Sequence, residues 1–350
     1  MKRLILLLVL VSLACQLSGL SPTALPSVEP TNPTSTVVAP TVPSPTLTFA
    51  PPTPTLTPSP TLAPYEQYTI DYLRGRTYGG GSIEVMETME ETDSFTRYLI
   101  RYPSDGLTIY GFVNVPKGDG PFPVIIAIHG LVDVDTYQTL DYTTPAIDTI
   151  TQAGYIVLHP NLRGYPPSDN GDNLFRVGMT IDVLNLIALV KSGVGPAELL
   201  ATAAPDKVGL WGHSMGGNIV LRVLTVSSGI NAAVLYAPLS GEEVKNAELL
   251  ADATSDPSFQ MEQAILPPLS RHISPLYYYN KITSPIQLHH GTADAVIPVE
   301  WSEETCNDAA AAGVQIECIY YPEGRHTFNE RLIDQFYDAM LNFYETYLPP

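Results

Sequence analysis

The sequence has few basic residues. Of its 350 residues, 17 are Lys or Arg and 36 are Asp or Glu, and the formal net charge is −19. Proteins that bind nucleic acid or anionic lipid surfaces neutralise phosphate groups with Lys and Arg. This composition therefore argues against both kinds of partner. The acidic residues are spread along the chain, which indicates a solvated surface rather than a binding motif.

Cysteine is also scarce. The chain has 3 cysteines, Cys15, Cys306 and Cys318. They form no Cys-x-x-Cys pair and no spacing typical of metal ligands, so the sequence predicts no metal site and no cofactor. Cys306 and Cys318 could form a disulfide in an oxidising compartment or serve as two small buried side chains. The sequence favours neither alternative.

The apolar run near the amino terminus, Leu4 to Leu13, is too short to span a bilayer. It follows Lys2-Arg3 and ends at the small residue Ala14, which predicts a signal peptide over residues 1–14. Cys15 comes next and resembles the cysteine of a bacterial lipobox, although Ser12 stands where that motif prefers an aliphatic residue. We expect an extracytoplasmic lipoprotein anchored through a lipidated Cys15, with plain secretion as the alternative.

Residues 15–64 are rich in Pro, Thr and Ser, and almost uncharged from residue 21 onwards. Such a segment has no hydrophobic periodicity, and its prolines cannot join a strand ladder, so the sequence predicts a disordered, extended stalk. A glycosylated, mucin-like segment is the alternative. The composition changes at Tyr65, and residues 65–350 are long enough to form one large domain with a substantial core.

Within residues 65–350, strands alternate with helices, which predicts an α/β fold. We expect a mostly parallel sheet with helices on both faces and an antiparallel hairpin, turning at Asp105-Gly106, at one edge. A polar and then proline-rich segment at residues 239–276 interrupts the alternation, and we expect it to form a short cap insertion over the site. The predicted strands are Phe95–Tyr102, Leu107–Val115, Pro123–Ile128, Tyr155–His159, Lys207–Trp211, Ala232–Tyr236, Ile286–His289 and Gln315–Tyr320, and the predicted helices are Tyr137–Gln152, Leu174–Lys191, the segment after Ser214, Glu300–Ala312 and Asn329–Tyr347.

The clearest motif is Gly-x-Ser-x-Gly, which occurs as Gly212-His213-Ser214-Met215-Gly216. An apolar strand precedes it and an apolar helical pattern follows it. In that context the serine lies on a sharp strand-to-helix turn that exposes its hydroxyl at the edge of the sheet. Ser214 also lies at a helix amino terminus, where unpaired N–H groups face developing negative charge. The sequence therefore predicts that Ser214 is a nucleophile.

A serine nucleophile needs a base, and the base needs a carboxylate that orients it. Asp294 follows one predicted parallel strand and His326 follows the last one, so both should lie at the same edge of the sheet as Ser214. The chain order Ser214, Asp294, His326 is the order expected for an α/β-hydrolase. We therefore predict these three residues as the catalytic triad.

The tetrahedral intermediate of acyl transfer carries an oxyanion, which two backbone N–H groups should stabilise. One donor is expected on Met215, directly after the nucleophile. The other is expected on Leu131, in the loop that follows the central strand at His129-Gly130. We expect His129 to anchor that loop and His213 to shape the turn at Ser214, without a role in proton transfer.

Several motifs in a fixed order carry a family resemblance over residues 95–348. The chain resembles the α/β-hydrolase superfamily, and within it the catalytic domain of prolyl oligopeptidase-type serine peptidases and their esterase relatives. The resemblance implies the triad named above and places Arg163-Gly164 near the active-site edge. The matching segments are Ile128–Gly130, Asn161–Gly164, Leu210–Gly217, Ser274–Leu276, His290–Asp294 and Tyr321–His326.

These observations predict a serine hydrolase that acts by acyl transfer on a small ester or peptide substrate. The residues of the matching motifs favour a peptidase. No propeller-blade repeats precede residue 95, which favours a carboxylesterase, and we keep both alternatives. A third alternative is a non-catalytic surface binding protein on a hydrolase fold. The sequence does not indicate an oligomeric state.

Overall fold

The computed structural model of the protein describes residues 62–350. The predicted signal peptide, Cys15 and nearly all of the predicted stalk lie outside these residues. Among the described residues, no helix is both long enough and apolar enough to cross a bilayer.

The described residues form one nine-stranded sheet in the order β1-β2-β3-β5-β4-β6-β7-β8-β9. The pairs β1–β2, β2–β3 and β3–β5 are antiparallel, and all the others are parallel. The predicted, mostly parallel α/β fold is therefore confirmed. The strands are β1 Glu84–Glu91, β2 Phe95–Ser104, β3 Leu107–Pro116, β4 Phe122–Ile128, β5 Ile156–Pro160, β6 Ala203–His213, β7 Ala232–Tyr236, β8 Ile286–Gly291 and β9 Ile316–Tyr321.

Helices cover both faces of the sheet. One buried apolar cluster contains side chains of α2 and α10, and the other contains side chains of α1, α3 and α5. The inner strands β5 and β7 are buried along their whole length because they are covered on both sides. The helices are α1 Ile70–Gly75, α2 Thr144–Gln152, α3 Val177–Ser192, α4 Ala197–Leu200, α5 Met215–Val226, α6 Glu243–Ala253, α7 Pro257–Ile265, α8 Ser270–Ile273, α9 Val299–Ala311 and α10 Glu330–Tyr347.

The sequence did not indicate strand β1, and its position at the edge of the sheet explains why. Most of its side chains are exposed, so it has no alternation of buried and polar residues that a periodicity argument could detect. Its glutamates are typical of an edge strand that is protected from pairing with other chains. Two register shifts against β2 interrupt it further.

The predicted helix Tyr137–Gln152 is wrong in its first half. Helix α2 begins at Thr144, with Pro145 in its first turn, the position where proline is compatible with a helix. The preceding residues form a loop near the carboxyl end of β4, and Tyr142 lies in this loop. Pro145 was the sequence signal that could have placed the boundary correctly.

The segment expected to form a cap contains the three helices α6, α7 and α8. It follows β7, the strand next to the one that carries Ser214.

Cys306 on α9 and Cys318 on β9 are joined in a disulfide, which decides between the two alternatives that the sequence left open.

Candidate active site

Ser214 lies between β6 and α5 in a backbone conformation that side chains rarely adopt, with φ 57° and ψ −119°. The neighbouring glycines allow this turn. A Cβ at Gly216 would lie 2.2 Å from the carbonyl oxygen of Ile128, and one at Gly212 would lie 2.5 Å from the carbonyl oxygen of Gly216. Only glycine fits at either position, so the strand-turn-helix context predicted for the motif is present.

Asp294 lies three residues after the end of β8, and both oxygens of its carboxylate accept hydrogen bonds. Its Oδ1 accepts hydrogen bonds from the backbone N–H groups of Val296 at 2.8 Å and Ile297 at 3.0 Å. Its Oδ2 lies 2.8 Å from Nδ1 of His326. Burial alone would raise the pKa of Asp294, but the hydrogen bonds from His290 and His326 outweigh it and hold this pKa well below its usual value. Asp294 is therefore ionised.

The two histidines of β8 point to opposite faces of the sheet, as expected for consecutive residues of a strand. Nε2 of His290 lies 3.1 Å from Oδ2 of Asp294 and 3.1 Å from the carbonyl oxygen of Ile297. Because both partners accept, this nitrogen carries the proton. His289 bonds to Tyr321 and Gln287 on the other face. His290 thus contacts the same carboxylate oxygen of Asp294 as His326 does.

Ser214 and His326 line the same cavity, which we call the serine cavity. It has a volume of about 240 Å³ and is lined by Gly130, Leu131, Val132, Tyr142, His213, Ser214, His326 and Thr327. Within residues 62–350, no hydrogen bond joins the Ser214 hydroxyl to the His326 ring. Such contacts often tighten only when substrate is bound. The structure therefore brings the three predicted triad residues to one edge of the sheet, with the Asp294–His326 contact already formed.

The loop after β4 presents one unused backbone donor beside Ser214. The N–H of Gly130 donates to the hydroxyl of Tyr142 at 2.7 Å, and the N–H of Val132 donates to the hydroxyl of Tyr165 at 3.3 Å. Among the described residues, the N–H of Leu131 between them has no acceptor. The N–H of Met215, in the first turn of α5, also has no partner within its helix. The predicted donor on Leu131 therefore lies at the serine cavity, and the predicted donor on Met215 directly follows Ser214.

His129 is buried and anchors this loop, as predicted. Its Nδ1 lies 2.7 Å from the carbonyl oxygen of Gly130, and its Nε2 lies 3.0 Å from that of Asn161. Burial lowers the pKa of His129. A neutral imidazole carries one N–H, so the ring, which lies between the loop after β4 and the loop after β5, donates to only one of these two carbonyl oxygens.

A chain of hydrogen bonds connects the loop after β4, which we call the oxyanion loop, with the backbone of His326. Burial lowers the pKa of His213 to about 3, so its ring is neutral. Its Nε2 lies 3.1 Å from the carbonyl oxygen of His326 and must carry the proton. Its Nδ1 then accepts from the Tyr142 hydroxyl at 2.9 Å, and that same oxygen accepts the Gly130 N–H. The interpretation of His213 as a structural residue agrees with this geometry, whereas sequence reasoning missed Tyr142.

A second cavity, which we call the arginine cavity, has a volume of about 560 Å³. It adjoins the oxyanion donors, because Leu131 and Met215 both line it. Arg163 lines it too, consistent with its predicted place near the active-site edge. Helix α7 contributes further lining residues, so part of the expected cap faces this cavity. The residues that define it here are Leu131, Arg163, Arg176, Met215, Phe259 and Glu262. Among residues 62–350, no group of His, Cys, Asp and Glu side chains is arranged to hold a metal ion.

Comparisons with known proteins agree with this fold. The model of the dienelactone hydrolase family matches residues 109–342. A Salmonella typhi protein, "Uncharacterized protein YfhR", is 30% identical over 165 residues, which cover 45% of this chain and 54% of the relative. The match thus spans about half of that relative's length.

Solved structures of hydrolases share the fold. Acetyl xylan esterase 1 from a Thermoanaerobacterium species superposes with a TM-score of 0.58 and 20% identity, covering 80% of this chain and 92% of the esterase. The acylaminoacyl peptidase of Pyrococcus horikoshii has a TM-score of 0.58 and 20% identity, covering 78% of this chain and 51% of the peptidase. The α/β-hydrolase superfamily predicted from the motifs is confirmed, and the family match places the chain in the dienelactone hydrolase family, as a serine hydrolase.

Proposed function

We propose that the protein is a carboxylesterase that cleaves small acyl esters by acyl transfer through Ser214, His326 and Asp294. The observation that carries the proposal is the 2.8 Å contact between Asp294 and His326 at the cavity that also contains the strained Ser214. An ionised Asp294 orients the ring through Nδ1, and the other ring nitrogen is left for the serine proton.

The proposed reaction has two halves. His326 takes the proton of the Ser214 hydroxyl as the serine oxygen attacks the ester carbonyl carbon, and the N–H groups of Leu131 and Met215 stabilise the oxyanion. The carbon–oxygen bond to the alcohol then breaks, and His326 gives its proton to the departing alcohol. Water next attacks the acyl-serine, His326 takes a proton from it and returns one to Ser214, and the carboxylic acid leaves.

One observation favours esters over peptide amides. The family match is to the dienelactone hydrolase family rather than to a peptidase family. The two activities differ in what they demand of His326, because an amide needs a well-placed acid to protonate its leaving nitrogen, whereas an activated ester does not.

A direct test compares a 4-nitrophenyl ester of a short fatty acid with a peptide 4-nitroanilide of similar size. We expect turnover of the ester, labelling by a fluorophosphonate probe, and loss of both in Ser214→Ala. Faster turnover of the anilide would identify a peptidase instead. Equal labelling of wild type and Ser214→Ala would rule out Ser214 as the nucleophile.

We also propose that the enzyme acts outside the cytoplasm, tethered through a lipidated Cys15. The signal-like residues 1–14 and the Cys306–Cys318 disulfide support an oxidising compartment. Metabolic labelling with an alkynyl fatty acid in a bacterial host should mark the wild-type protein and not Cys15→Ser. Release of unlabelled wild-type protein into the medium would instead indicate plain secretion.

A further inference from the structure

We infer that the arginine cavity binds the acyl half of the substrate and accepts uncharged acyl groups in preference to anionic ones. The inference rests on the proposed ester hydrolysis and names the substrate class of the same site. It follows from where the cavity lies relative to the reacting atoms and from the partners of the charged groups that line it.

The position of the cavity identifies the half of the ester that it binds. His326 must reach the alcohol oxygen to protonate it, so the alcohol lies on the His326 side of the reacting carbon. The arginine cavity is lined by Leu131 and Met215, which carry the oxyanion donors, but not by His326 or Ser214. It therefore opens on the side of the carbonyl away from the general acid, where the acyl chain must extend.

The guanidinium of Arg163 is already occupied. Its Nε and Nη2 groups donate to the carboxylate of Asp182 at 2.8 to 3.2 Å, and its Nη1 donates to the carbonyl oxygen of Asp172 at 2.8 Å. The Asp182 side chain is fully buried and the Arg163 side chain is 6% exposed. This cation is therefore neutralised by a fixed partner and has no free face for an anionic acyl group.

The guanidinium of Arg176 is paired through two of its three nitrogens, and the third, Nε, is buried without a partner among the described residues. Its Nη2 lies 2.5 Å from a carboxylate oxygen of Glu243, and its Nη1 lies 3.0 Å from one of Glu262. Glu243 also pairs with the buried Arg222. The charges of the two arginines and two glutamates cancel, and all four side chains are nearly or fully buried.

The other charges at the cavity are negative. Asp172 and Asp256 line it, and neither forms an ion pair with any Lys or Arg of the described residues. An anionic acyl group entering here would lose hydration, gain no cation and approach these carboxylates. An uncharged acyl chain would instead contact apolar side chains such as Met179 and Phe259, and methionine adapts to varied shapes.

Two esters of equal acyl length test this inference, 4-nitrophenyl methyl adipate and 4-nitrophenyl hydrogen adipate. They differ only in whether the far end of the acyl chain is capped or carries a carboxylate. We expect kcat/KM for the anionic ester to be at least about tenfold lower than for the capped ester. Equal kcat/KM values, with turnover that Ser214→Ala abolishes, would overturn the inference while leaving the esterase proposal intact. No Ser214-dependent turnover of either ester would overturn the esterase proposal itself.

A charge introduced at the rim provides the reverse test. Met261 on α7 lines the cavity and is 50% exposed, so Met261→Lys adds a cation at the rim of the cavity with little effect on folding. We expect the ratio of kcat/KM for the anionic ester to that for the capped ester to rise severalfold in Met261→Lys and to stay near the wild-type ratio in Met261→Gln. An unchanged ratio in Met261→Lys, or the same rise in both variants, would show that the missing cation does not set the preference.

Discussion

Removing the hydroxyl of Tyr142 should slow catalysis although this residue belongs to no predicted catalytic motif. The hydroxyl receives the N–H of Gly130 at 2.7 Å and donates to Nδ1 of His213 at 2.9 Å. Burial raises the pKa of Tyr142, so the hydroxyl keeps its proton and remains a donor throughout the working pH range. Tyr142→Phe therefore breaks the link between the oxyanion loop and the segment that carries His326.

The geometry sets the size of the expected effect. Each of the two hydrogen bonds has a net value of about 0.5 to 1.5 kcal/mol, so the variant should lose about 1 to 3 kcal/mol of stability. Loss of a complete oxyanion donor costs about 100- to 1,000-fold in rate. Tyr142→Phe only loosens the loop that presents the Leu131 N–H, so we expect kcat to fall by about 10- to 100-fold. KM should change little, because the oxyanion forms only in the transition state.

Tyr165→Phe is the matched control. The Tyr165 hydroxyl also contacts the oxyanion loop, but it bonds to the N–H and carbonyl of Val132 at 3.3 and 3.2 Å and does not reach His213. Steady-state kinetics on an ester and thermal unfolding should be measured for both variants. If folded Tyr142→Phe keeps kcat within about twofold of wild type, or if Tyr165→Phe loses as much, the hydrogen-bond chain through Tyr142 does not position the site.

Three further perturbations test other parts of the structure. Asp294→Asn should lower kcat by about 10⁴-fold with the fold retained, because the ring of His326 loses the charge that orients it; activity within tenfold of wild type, about 1.4 kcal/mol, would exclude Asp294 as the orienting carboxylate. The pKa values of His213 and His289 are each about 3 in the folded protein and about 6.5 when unfolded, so the unfolded state binds more protons between these values. The free energy of unfolding is then highest above about pH 6.5 and falls by up to about 2.7 kcal/mol per pH unit below it. Urea titrations from neutral to acidic pH would detect this fall, and a free energy of unfolding that does not change with pH would contradict it. The Cys306–Cys318 disulfide closes a loop with a sequence separation of 12. Replacing both cysteines by Ala should therefore lower the free energy of unfolding, measured in guanidinium, by about 3 kcal/mol. A variant as stable as the oxidised wild type would contradict this.

The meeting of the three predicted triad residues at one edge of the sheet could be predicted because each residue is placed by a rule that applies locally. Ser214, Asp294 and His326 each follow a parallel strand, and the carboxyl ends of parallel strands meet at one edge of the sheet. The strand pattern and the order of the three residues along the chain were therefore enough to expect them together. Met215, directly after Ser214, could be placed for the same reason.

Tyr142 could not be predicted in this way. Its role depends on the conformation of an irregular loop that places its hydroxyl between the Gly130 N–H and the His213 ring, residues 12 and 71 positions away in the chain. Hydrophobic periodicity carries no information about such a loop, and here it extended a predicted helix across it. The exposed edge strand β1 was missed for a related reason, because a strand that buries few side chains has no clear pattern.

The net charge that a ligand would meet in the arginine cavity is the property that is hardest to predict from the sequence. Arg163 and Arg176 would suggest an anion site if only their identities were known. Arg176 follows Phe175, and both have a positive φ, 59° and 57°, directly before α3. The paired arginines meet Asp182, Glu243 and Glu262 from 19, 67 and 86 positions away. Pairing with a carboxylate removes the positive charge that a ligand would meet. Two chains with the same two arginines at this edge, one with and one without these carboxylates, would therefore differ in whether they prefer uncharged or anionic acyl groups. The partners of these arginines, rather than their presence, should therefore determine which acyl groups this hydrolase accepts.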